Sequence, residues 1–132
     1  MPFKIPMVLE KDNIIAVREY NQMHAQEHQD IAGWLNALAS AHGVPITVTY
    51  YSLPVFDPTD EKSISLFFDV NWKQHMVFYD AFNQIGQKVN PPVFIFPKNY
   101  PSNIYDLTVE SFVKLEYEIH MMLWKTIDVL RG

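Results

Sequence analysis

Apolar residues recur with helical spacing in three long segments of the chain, separated by two stretches with a different texture. The first segment runs from about Asp12, which can cap it, to Ala41, where His42-Gly43 followed by Pro45 ends it. Gly33 lies inside it, and a glycine tolerated mid-helix predicts close packing at that point. The second segment opens at DPTDEK, with Asp57 or Thr59 as cap, and reaches about Lys88. The third opens at Asp106 or Thr108, carries Glu110 in its first turn and reaches Leu130.

The connectors are VPITVTYYSLPVF, Val44 to Phe56, and VNPPVFIFPKNYP, Val89 to Pro101. Both mix proline with β-branched and aromatic residues. Ile46 to Ser52 and Val93 to Phe96 read as short strands, confined by the prolines to edges or short pairings. The N-terminal FKIPMVL has the same texture.

The three helices can be set in register on histidines. His28, His75 and His120 stand 47 and 45 residues apart. Eight positions before them come Tyr20, Phe67 and Phe112, and four before them the polar His24, Asn71 and Glu116. Ile31, Phe78 and Leu123 follow at three positions, Leu35, Phe82 and Ile127 at seven, and Asn36, Asn83 and Asp128 at eight. A spacing of about 46 lies in the range of helical repeats. The expected fold is therefore mainly α with short β segments: three long helices in one domain over residues 1–132. The expected repeat is threefold, each unit a strand-like connector plus a helix, over about 1–43, 44–88 and 89–132.

Composition narrows the function classes. The chain carries a net charge of −5 with no Lys/Arg cluster, which argues against a nucleic-acid binder. It has no cysteine, which excludes disulfides and cysteine-based metal or redox sites. No apolar run approaches the length of about 20 residues that spans a bilayer, and the N-terminal MPFKIPMVLEKD lacks a signal-peptide core. GxGxxG, P-loop and GxSxG motifs are absent. Trp34, Trp72 and Trp124 are expected as packing anchors, and the acidic FDPTDEK as a helix start rather than a calcium loop.

The histidines lie on the apolar stripe of each helix, so they face inward. Two readings follow. In one, His28, His75 and His120, with Asn36, Asn83 and Asp128, form a core polar network that fixes helix register, and no metal or cofactor is bound. In the other, the same three histidines with His24 and Glu116, or with Glu27, are ligands of a metal-binding helical bundle, since neutral imidazole is a common metal ligand. His24 and His28 sit four apart on one helix face. Ferritin-like di-iron proteins have a similar texture but use Glu-x-x-His, whereas Glu116 and His120 are four apart. The sequence favours packing over coordination.

DPTDEKSISLFFDVNWKQHMVFYDAFNQIG resembles segments of short proteins from tailed-bacteriophage genomes, in which an acidic start, an aromatic, a histidine, an apolar pair, an asparagine and a closing glycine recur. His75, Phe78, Phe82, Asn83 and Gly86 carry the resemblance, as do His28, Ile31, Leu35, Asn36 and Gly43; Asp128 departs from it. It implies a non-enzymatic structural or accessory protein of a phage virion, such as a head decoration or a neck or tail fitting, assembled in the host cytoplasm. Its partners would be other virion proteins or further copies of itself, with neither nucleic acid nor membrane involved. An inhibitor of a host protein is the related alternative. On this reading Tyr50, Tyr51, Phe56, Phe94, Phe96 and Tyr100 in the connectors are the partner contacts.

Overall fold

The structure is a computed structural model that describes residues 4–89, 95–99 and 106–132. Three helices account for most of it: α1 (Ile14–Ala41), α2 (Glu61–Gly86) and α3 (Val109–Arg131). Each begins where a side chain caps it. Asn13 accepts from the Ala16 N–H, Asp60 from Lys62 and Thr108 from Ser111, all at 3.1 Å. Asp57, expected as a possible cap of α2, instead accepts from the Thr59 backbone and hydroxyl just before the helix. Helix α1 has 28 residues, so it is about 42 Å long. Gly43, in the left-handed region at φ 70°, turns the chain out of it.

The apolar stripes meet in two clusters. One gathers Tyr20, Phe67, Phe68, Trp72, Phe112 and Val113 with Ile5 from the N-terminal segment and Phe56 from the first connector. The other gathers Ile31, Leu35, Phe78, Phe82, Leu123 and Ile127 with Val44, Val48 and Phe96. Between them lies a layer of buried polar side chains, supplied by all three helices.

No strand forms among the described residues, which corrects the expectation of short β segments. The reason lies in the helices. Side-chain amides take the place of a partner strand and bond the extended backbone of the connectors. Asn36 accepts from the Val48 N–H at 2.7 Å and donates to its carbonyl at 3.0 Å. Asn83 does the same for Phe96, at 2.7 and 3.0 Å. Asn21 holds Phe56 in the same way, and Gln74 holds Thr49 and Tyr51. With Val93 and Phe94, the start of the second expected strand lies outside the described residues.

Gly33 is also corrected. It is exposed, and a Cβ built there meets nothing within 4 Å. It makes no close helix approach. Among the described residues no helix is long and apolar enough to cross a membrane.

Candidate metal centre

The buried polar layer is built from pairs one turn apart. Helix α1 gives His24 and His28, α2 gives Asn71 and His75, and α3 gives Glu116 and His120, and all six are fully buried. Side chains four apart stack on one helix face. The pairs point inward because each continues the stripe that runs through Tyr20, Phe67 and Phe112 on one side and Ile31, Phe78 and Leu123 on the other.

The three histidines expected as register marks come together. Ring centroids of His28 and His75 are 5.2 Å apart, those of His28 and His120 5.1 Å, and those of His75 and His120 5.5 Å. His24 joins them, 4.6 Å from His28 and 4.9 Å from His120. Glu116 Oε1 is the meeting point. His24 Nε2 lies 2.9 Å from it, His75 Nε2 3.4 Å and His120 Nε2 3.6 Å. Of these three contacts only the one from His24 is a hydrogen bond. His75 and His120 approach the oxygen without bonding it.

His28, His75, His24, His120 and Glu116 each offer one donor atom, and the five atoms lie within 4.8 Å of one another. Donors on opposite sides of one ion, with bonds of about 2.1 Å, stand about 4.2 Å apart. Neighbouring donors stand about 3 Å apart, so the ligands must draw inward by roughly 0.6 Å or more at the widest pair to seat a single ion.

Glu27 orients the layer from outside it. Its Oε1 accepts from His120 Nδ1 at 3.0 Å and from Trp124 Nε1 at 3.1 Å. Its Oε2 accepts the backbone N–H groups of Lys4 at 2.8 Å and Ile5 at 2.6 Å. An ionised carboxylate can only accept, so His120 carries a proton on Nδ1. Its Nε2 faces Glu116 and has no hydrogen-bond partner in the protein. Both ring nitrogens of His28 and of His75, His24 Nδ1 and Glu116 Oε2 are likewise without one. Buried polar atoms normally find partners, and leaving them without costs about 1–3 kcal/mol each. An ion would satisfy one such atom from each residue, since one donor from each of the five lies within 4.8 Å of the others.

Charge points the same way. Burial pushes the imidazoles of His28 well below, and of His24 below, the ordinary histidine value, with Glu116 partly offsetting it at His24. Burial also takes His75 down to about 3, against the pull of Glu116. At His120 burial is outweighed by Glu116 and Glu27, and its pKa is pushed up to about 9. Burial would raise Glu116, but His75, His120 and His24 hold it well below the usual carboxylate range. Glu27 is lowered too, its burial outweighed mainly by His120. The layer thus holds two carboxylates, one imidazolium and three neutral imidazoles, one negative charge in excess. A divalent ion that displaces the extra proton of His120 brings the sum to zero.

The remaining expected site residues lie elsewhere. Asn36 and Asn83 are half-buried and hold connector backbone, away from the histidines. Asp128 is exposed and stands 3.9 Å from Arg131, outside the polar layer. Its position one residue past Ile127 turns it to solvent. Of the expected partner contacts, Phe56 and Phe96 are buried in the two apolar clusters, which removes them from the surface. Tyr50 and Tyr51 are half-buried, and Phe94 and Tyr100 lie outside the described residues. Trp72 and Trp124 are core residues, and Trp34 is a half-buried one with the Arg131 guanidinium 4.4 Å over its ring. The sequence places Asn71 in the polar column with His24 and Glu116 without giving it a role, and the link from Glu27 to the N-terminal segment has no signal in it.

Comparison of the chain with protein families, with curated proteins and with solved structures finds no match in any of the three, so they supply no tie to phage virion proteins.

Proposed function

We propose that this protein is a metal-binding helical bundle that holds one divalent transition-metal ion with His24, His28, His75, His120 and Glu116. The observation that carries the reading is the convergence of five buried donor atoms within 4.8 Å. Four imidazole nitrogens and one carboxylate oxygen suit zinc, iron, nickel or copper rather than magnesium or calcium, which prefer oxygen. Glu27 supports His120 as outer carboxylates support metal-bound histidines, by fixing the ring and its tautomer. Five protein ligands complete a five-coordinate ion or leave one position of an octahedron.

Elemental analysis of the purified protein tests this directly. About one ion per chain is expected, and adding the ion to metal-stripped protein should raise the melting temperature. If no metal co-purifies, and Zn²⁺, Fe²⁺, Co²⁺ and Ni²⁺ all leave the melting temperature unchanged, the reading is lost.

The same layer supports descent of the three helices from one repeated unit. Each helix places an i, i+4 polar pair at the same distance from its preceding aromatic, and Asn36 and Asn83 clamp backbone 12 and 13 residues further on. In a crystal structure, superposing α1 on α2 should carry the first connector onto the second. Divergent paths would argue against duplication.

A second reading, a contact protein of a phage particle, draws on a different feature. Ile14 and Val55 are 73% and 76% exposed and flank one groove, with Ile15 also exposed. Mass spectrometry of purified particles decides it: the chain is either present in them or this role falls.

A further inference from the structure

The donors are closed off on most sides. The rings of Tyr20, Phe67 and Phe112 cover one side of the layer, and Ile31, Phe78 and Leu123 the other, all fully buried. Phe67 packs 5.3 Å from His24, Phe78 5.4 Å from His28 and Trp72 5.1 Å from His75. These side chains stand on the helices and do not offer a path. An ion that reaches His120 must pass something that can move.

One such segment touches the network. From Lys4 to Leu9 the chain forms neither helix nor strand, and its start is fastened to α1 at Glu27. Among the described residues it is the one non-helical segment hydrogen-bonded to the network, through the two N–H groups that Glu27 Oε2 accepts. Its one fully buried side chain is an apolar plug. Ile5 is 2% exposed, seated with Tyr20, Phe56 and Phe112, whereas Lys4, Met7 and Val8 are exposed. Beside it a surface groove of about 230 Å³ runs between Lys4, Gln22, Met23, Gln26 and Asp30, and its wall includes Glu27. Glu27 is one hydrogen bond from His120.

We infer that this N-terminal strap gates the metal centre: the ion enters and leaves through the groove at Glu27 when Ile5 lifts from its seat. The inference rests on the metal-binding reading above. Lifting the strap frees Glu27 Oε2 from both backbone N–H groups. That oxygen then faces the groove, where Asp30, three residues along the same helix face, supplies a second carboxylate. Two carboxylates suit a hydrated cation better than buried imidazoles do, because they replace its water with oxygen. From there the ion passes the His120 ring, whose Nδ1 faces Glu27 and whose Nε2 faces Glu116, and the donors beyond it take the ion as the strap closes.

Such a gate separates rate from affinity. Opening the strap more often speeds entry and exit together and leaves their ratio nearly alone. Co²⁺ is a suitable probe, since its visible absorbance reports ligation, and EDTA in excess reports release. Ile5→Ala should speed Co²⁺ uptake and EDTA-driven release each by about 30-fold or more, the lower end of the lost burial for such a truncation. The equilibrium Kd should stay within about threefold. Ile5→Val, which removes one methylene, should lie between wild type and Ile5→Ala and keeps the test open if the larger truncation fails to fold. Ile85→Ala is the control, an equal truncation in the other apolar cluster. It should lower stability without changing either rate.

If Co²⁺ binds wild type and both Ile5 variants with unchanged uptake and release, the strap is not the gate. The strap is equally excluded if Ile85→Ala accelerates the rates as much as Ile5→Ala. If Co²⁺ does not bind wild type at all, it is the metal-binding reading that fails, and the two failures are told apart in one experiment.

Discussion

Glu27 accepts a hydrogen bond from His120 across 93 residues of sequence, at 3.0 Å and fully inside the protein. That bond places a proton on Nδ1 and turns Nε2 toward Glu116, 3.6 Å away. One carboxylate thus decides how a histidine on another helix presents itself to the centre of the bundle.

Removing the charge of Glu27 should therefore weaken metal binding without removing a ligand. Glu27→Gln is expected to lower affinity about 10- to 100-fold, the usual cost of losing an outer carboxylate. Glu116→Gln, which neutralises a ligand, should cost more. Competition against a coloured chelator measures both, and equal affinities for Glu27→Gln and wild type would refute the orienting role.

The metal-free protein should be most stable near neutral pH. His75 has a folded value of about 3 against about 6.5 unfolded, so between these the unfolded chain binds more protons. Its contribution is complete above about 6.5 and declines as pH falls. His24 and His28, also lowered, act with the same sign. His120, raised to about 9, acts oppositely: its contribution is full below about 6.5 and is lost as pH rises through 9. Between pH 5 and 9 three groups oppose acid and one opposes base, so the acid side should be the steeper, with His75 alone contributing up to about 1.4 kcal/mol per pH unit. Urea midpoints measured from about pH 5 to 9 check this, and a flat profile between 5 and 7 contradicts it.

Asn36→Ala and Asn83→Ala should each destabilise the fold by about 1–3 kcal/mol, because the N–H and the C=O of one connector residue lose their partner at once. Asp128→Ala, the third member of that sequence column, should change stability by no more than about 0.5 kcal/mol, since the side chain is exposed. Chemical denaturation of the three variants separates clamp from surface residue. Metal affinity should be unchanged in all of them.

Gly33→Ala should stabilise the protein by about 0.5–1 kcal/mol, since alanine suits a helix better and its methyl group meets nothing. A loss of stability would mean that this face is covered in solution.

Much of the site was legible in the pattern of residues. The column His28, His75 and His120 and the one before it, His24, Asn71 and Glu116, follow from helical period alone, and the structure buries all six side by side. Whether they meet is a matter of how three helices pack, which a period does not contain. Glu27 is off the stripe, next to His28, and its partners Lys4, Ile5, His120 and Trp124 are all remote in sequence. Asp128 misled because a polar column reads alike whether its members bond backbone or water. The connectors misled for a related reason: Ile46 to Ser52 has strand composition and an extended path, but Asn36 and Gln74 hold its backbone. Phe56 and Phe96 read as exposed anchors from their proline-rich setting and lie in the core, their backbone held onto the helices by Asn21 and Asn83.

The polar layer also divides the apolar interior into an upper and a lower half. The same three helices run through both halves, so the imidazoles with unmet hydrogen bonds are a weak level inside one cooperative unit. An ion gripped from all three helices would brace that level, so that its presence sets how sharply the whole bundle melts.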